Sequence, residues 1–145
     1  MSDGAVQTSP AMLCNCLLMC NDVHMSIRGQ HTLVGIINTM TVDRVPCDVG
    51  PFALYVRFHS IRGLQNLQLH FVRAQDESLV IGLEGRVGDG GNDPLGTTTL
   101  ILMVPQFRLV AEGRYLWQAK ANGVPVASAF IDVKAIESGP DAPGH

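Results

Sequence analysis

The stretch GRYLWQAKANGVPVASAFIDVK, residues 113–134, decides the fold. Before Asn122-Gly123, Tyr115, Trp117, Ala119 and Ala121 alternate with Leu116, Gln118 and Lys120. A period of two puts the first set on one face of a β-strand and the second on the other. An Asn-Gly pair between two such runs is the strongest local hairpin signal, because both residues accept the positive φ of a tight turn. The start of the stretch carries a second signal. Phe107–Leu109 end a short run, Gly113 turns the chain, and Tyr115 follows. That order predicts a tyrosine corner, in which the Tyr hydroxyl returns to backbone upstream. Trp117 shares the face of Tyr115 and is expected in the core.

The same alternation recurs along the chain. In FALYVRFHS (52–60), Phe52, Leu54, Val56 and Phe58 oppose Ala53, Tyr55, Arg57 and His59. In LQLHFVR (67–73), Leu67, Leu69 and Phe71 oppose Gln68, His70 and Val72. Half-polar strands suit antiparallel sheets with one wet face. Strands are expected near 12–20, 31–42, 52–61, 66–73, 78–84, 97–104, 106–110, 113–121 and 124–134, with a turn at Arg62-Gly63. No segment carries a period of 3.6 beyond a turn or two. The expected fold is all-β, an antiparallel β-sandwich of Ig-like or related topology with eight or nine strands. It occupies 11–135, between loose tails at 1–10 and 136–145.

In order and spacing, Cys20-Asn21, Thr32-Leu33-Val34-Gly35-Ile36, Val45-Pro46, Leu54-Tyr55-Val56, Gly113-x-Tyr115, Asn122-Gly123 and Val133 resemble a family of small bacterial proteins classed as a domain of unknown function. The resemblance spans 12–134. It implies a cytoplasmic bacterial β-sandwich and carries no activity or catalytic residue. Members often have Cys-Asp where this chain has Cys20-Asn21.

Composition narrows the function classes. With 145 residues, 46% hydrophobic and 16% charged, the chain is one globular domain. A net charge of −3 and scattered Lys and Arg argue against a nucleic-acid partner and against a basic membrane patch. No apolar run reaches the ~18–20 residues that span a bilayer. MSDGAVQTSP lacks the positive start of a secretory signal, and four cysteines read as reduced thiols, so a cytoplasmic protein is expected.

The candidates for chemistry are few. AMLCNCLLMCNDVH (11–24) brings Cys14, Cys16 and Cys20 close in sequence. On a strand they would share one face, separated by ~6.5–7 Å for each step of two residues. That is too wide for sulfurs sharing one zinc at bonds of about 2.3 Å. They read as buried thiols of a first core strand ending in a turn at Cys20-Asn21-Asp22, with a metal site including His24 or Cys47, or redox sensing, as the alternatives. GRVGDGGNDPLG (85–96) lacks the Lys and the glycine order of phosphate loops. Its Asp89, Asn92 and Asp93 offer too few oxygens for calcium and read as a strand connection. His59 and His70 fall on the polar faces of two strands that would form a hairpin, a weak metal pair without a third ligand. No nucleophile elbow, zinc-protease helix or acid pair appears, and no cofactor is implied.

These features point to a non-enzymatic interaction or assembly module, pairing through a sheet face or edge with a protein partner or a second copy. A mean hydropathy of +0.19 fits extra buried surface in a homo-oligomer. A small-ligand or metal-binding sandwich is the alternative, and an enzyme of unrecognised type the third.

Overall fold

The computed structural model describes residues 13–59, 65–87 and 97–136. Within them the chain is all-β, with eleven strands: β1 (Leu13–Met25), β2 (His31–Ile37), β3 (Thr39–Val42), β4 (Cys47–Val49), β5 (Phe52–His59), β6 (Gln65–Arg73), β7 (Leu79–Val87), β8 (Thr97–Val104), β9 (Phe107–Leu109), β10 (Gly113–Ala121) and β11 (Val124–Ala135). They form a four-stranded sheet in the order β2-β1-β5-β8, a five-stranded sheet β3-β11-β10-β6-β7, and a two-stranded ribbon β4-β9. The two large sheets form an antiparallel sandwich around one core, with β3–β11 the parallel exception among the described pairs.

The opening hairpin forms as expected. Ala121 pairs with Val124 across Asn122 (φ 51°) and Gly123 (φ 82°), the two positive φ values of a type I′ turn. The Asn122 side chain also ties the turn to the next strand. Its Oδ1 accepts from the Asn66 amide at 2.8 Å and its Nδ2 donates to Gln65 Oε1 at 2.7 Å. The tyrosine corner is present too: Tyr115 Oη donates to the Ala111 carbonyl at 2.7 Å.

The two inward faces supply the core. Leu17, Met19, Leu54, Val56, Phe58 and Val104 come from one sheet, and Leu67, Leu69, Phe71, Tyr115, Trp117 and Ile131 from the other. Trp117 is fully buried and its Nε1 donates to Met19 Sδ at 3.4 Å across the sandwich. Phe71 packs beside it with ring centroids 5.0 Å apart.

Three features differ from the sequence reading. The segment 31–42 is two strands: the chain leaves one sheet after Ile37 and joins the other at Thr39, beside β11. The backbone amide of Asp132 holds the crossing by donating to the Asn38 carbonyl at 3.0 Å. β4, too short to show a period, pairs with β9. β1 runs through Cys20-Asn21-Asp22 to Met25 without a turn, since β2 extends its ladder. The expected turn at Arg62-Gly63, the tail at 1–10, the C-terminal tail after Ile136 and the loop acids lie outside the described residues.

Removing the corner hydroxyl isolates its contribution. Tyr115→Phe should lower stability by about 1 kcal/mol, the usual net value of one buried hydrogen bond. Urea unfolding followed by the fluorescence of the single tryptophan measures it, and an unchanged midpoint would remove the corner from the stabilising set.

Candidate functional site: the outward face of the four-stranded sheet

The cysteines do not share a face. Cys14 pairs with Phe58, but Cys16 pairs with Arg57, so Asn15 is the extra residue of a β-bulge. The bulge reverses the alternation. Cys14 joins Leu17 and Met19 on the core side, whereas Cys16 and Cys20 take the outward face of Arg57 and Ala53. Cys47 packs against the core from β4. All four thiols are free. Burial pushes the Cys14 and Cys20 thiols up from their ordinary range, which disfavours the thiolate that binds metal or attacks disulfides.

The two histidines separate as well. His59 is on β5 and His70 on β6, strands of different sheets, so the expected hairpin pair does not exist. His59 Nδ1 lies 3.0 Å from Thr97 Oγ1. His70 stands between Gln118 and Gly82 on the other sheet. Among the described residues no three His, Cys, Asp or Glu side chains come together as a metal site. Asp89, Asn92 and Asp93 fall outside the described residues.

What the fold does assemble was not singled out by any motif. Tyr55 points away from the core side of β5, yet only 4% of it is exposed. Its hydroxyl accepts from Arg57 Nη2 at 2.8 Å and lies 2.9 Å from His31 Nδ1. The Arg57 guanidinium carbon sits 5.7 Å from the Tyr55 ring centre, and Arg57 Nε donates to Thr99 Oγ1 at 3.4 Å. Tyr55 and Arg57 share a face by simple alternation. His31 does not follow from any spacing: its ladder partner is Met25, while Tyr55 is opposite Leu18. Seven residues of straight strand cover about 23 Å. The contact therefore requires the β1–β2 ladder to curl back over the outward face.

Gly35 marks the bend. Its φ is +70°, and a Cβ there would collide with the Asn21 side chain. Asn21 and Gly35 fall between the paired positions Cys20–Ile36 and Asp22–Val34. A left-handed residue inside a strand increases local twist, and glycine takes that conformation without strain. Beside the bend, Asn21, Val23, Ala53, Ile101 and Met103 help to line a shallow groove of about 190 Å³.

Fold and site thus define a β-sandwich with an arm folded over one sheet face and a cation held on that face. The chain belongs to the family of unknown function DUF6941, whose model matches residues 15–134. No curated protein matches the sequence. Among solved structures, the chain resembles Pseudomonas fluorescens alkylpurine DNA glycosylase AlkC bound to DNA containing an abasic site analog, at 8% identity and a TM-score of 0.43. The match covers 88% of this chain and 32% of that one, so the chain spans about a third of that protein's length. No helix among the described residues is long and apolar enough to cross a membrane.

Two measurements check this account. Gly35→Ala should cost about 1–3 kcal/mol through backbone strain plus the collision. Adding Asn21→Ala should recover the collision share and leave the strain, and full recovery would show that the left-handed conformation is dispensable. Separately, a thiol reagent should label Cys20 at a useful rate only once the protein is unfolded. Raised thiol pKa values in the folded state mean that unfolded thiols lose protons first, so stability should fall as pH rises past the ordinary thiol range.

Proposed function

We propose that this protein is a non-enzymatic interaction module that assembles through the exposed edge of its four-stranded sheet, working in a bacterial cytoplasm. One observation carries the reading. β8, TTTLILMV, is an edge strand with β5 as its only ladder partner among the described residues, and it has no charge and no proline. Native edges are ordinarily blunted by charge, proline or covering, because unpaired N–H and C=O groups recruit other strands. In its second half the outward side chains of that edge are apolar: Ile101 is 45% exposed and Met103 73%. At the opposite edge, β2 leaves Val34 and Ile36 outward on the same sheet, 44% and 55% exposed.

A second copy is the simplest partner. Two β8 strands pairing antiparallel about a two-fold axis satisfy both edges with one surface, the isologous arrangement of most dimers. Apolar side chains at 101 and 103 then cover each other, with no like charges opposed across the ladder. Four free thiols support a reducing compartment.

Size-exclusion chromatography with light scattering, run over a range of concentrations, tests the assembly. The wild-type protein should be a dimer. Ile101→Lys combined with Met103→Lys should be a folded monomer, since both side chains face outward, and its melting temperature should no longer depend on protein concentration. A wild-type protein that stays monomeric at high concentration would overturn self-assembly through β8.

A further inference from the structure

We propose that Arg57 is the centre of an oxyanion-binding site on the outward face of the four-stranded sheet, taking a phosphate or carboxylate group. The inference goes beyond strand pairing and stands whether or not β8 joins another chain. It starts from charge. Arg73, Arg108 and Arg114 each face an aspartate, at 3.8, 3.2 and 2.8 Å. Arg57 is half-buried, and its only side-chain partners among the described residues are two neutral hydroxyls. Its neighbours do not neutralise it either. Neither β5, β8 nor the part of β1 paired with β5 contains an Asp or Glu. Asp22, further along β1, lies 3.3 Å from His24. A partly desolvated cation without a counter-charge is costly, and a bound anion removes that cost.

The donors are also held ready. Tyr55 Oη takes one Nη2 hydrogen and Thr99 Oγ1 takes Nε–H, which fixes the plane of the guanidinium. Both Nη1 hydrogens and the second Nη2 hydrogen remain. That is the fork that meets two oxygens of a carboxylate or phosphate at once. The register adds a second donor. Thr99 lies opposite Arg57, and Thr97 lies opposite His59, two residues along the same face. Thr97 Oγ1 lies 3.0 Å from His59 Nδ1, so Nε2 is the ring nitrogen left to meet an anion, and it donates in the Nε2–H tautomer or in the protonated ring. Guanidinium, imidazole and two ordered hydroxyls, with no acid among them, recognise an oxyanion and reject a metal cation.

Titration of the full chain with inorganic phosphate and, separately, with acetate tests the site. Chloride keeps the ionic strength constant, and binding is read from the Arg57 Nε–H and His59 ring resonances. Saturable shifts confined to this face are expected with at least one anion. Saturation by phosphate alone assigns a phosphate group, and by acetate alone a carboxylate. Arg57→Gln should weaken binding about ten- to a hundred-fold, the worth of a charge-assisted hydrogen bond. Arg57→Lys keeps the charge and stem but loses the fork, and should also weaken it. Arg108→Gln, on the β4-β9 ribbon, should bind as the wild type does. Absence of saturation with both anions, or undiminished binding in both Arg57 variants, would overturn the proposal.

Discussion

Trp117 is the piece on which the sandwich depends. The indole lies on the central strand of the five-stranded sheet, fully buried, against Phe71 and beneath Met19 of the opposite sheet. Toward the Asn122-Gly123 turn its core-side neighbours along β10 and β11 are small, at Ala119, Ala121, Ala127 and Ala129, while Tyr115 and Ile131 fill the other side. Large beside small is how facing layers interdigitate without voids. The buried N–H finds only a thioether sulfur, a weak acceptor. Packing, more than that hydrogen bond, fixes the separation of the two sheets there.

Around this centre the strand ends are pinned by polar contacts of specific geometry. Asn122 joins the β10–β11 turn to β6, Tyr115 closes the corner onto Ala111, and Asn38 fixes the chain where it changes sheets. Each satisfies a backbone group at the place where a ladder stops. The core therefore sets the two layers face to face, and these ends set which strands meet. The outward face of the smaller sheet is built differently. There a bulge at Asn15 in β1 and a left-handed Gly35 in β2 distort the paired strands, and the bend delivers His31 to Tyr55.

Three separated segments of the sequence gain a physical meaning from this placement. Cys20-Asn21 and the Gly35 of TLVGI lie across from one another on the β1–β2 ladder, and Asn21 occupies the space a side chain at 35 would need. The Leu54-Tyr55-Val56 run supplies the covered tyrosine. These separated segments meet at one bend and the residue it covers.

Period two, Asn122-Gly123 and Gly113-x-Tyr115 were enough to establish an all-β sandwich, its central hairpin and its corner. Those features are written in spacings of two to five residues, and local sterics decide them. The faces of Tyr55 and Arg57 were legible for the same reason. The even-numbered spacing of Cys14, Cys16 and Cys20 misled, because a bulge costs one residue and leaves no mark in composition. His59 and His70 are close in sequence but belong to different sheets, a choice made by which ladders bury the most apolar surface. His31 reached Tyr55 only through the curl of a thirteen-residue strand. Sequence alone determined the all-β class and the inward face of each regularly alternating strand; only the tertiary structure decided which sheet each strand joins and which outward side chains meet, because strand curvature and sheet assignment depend on the whole core.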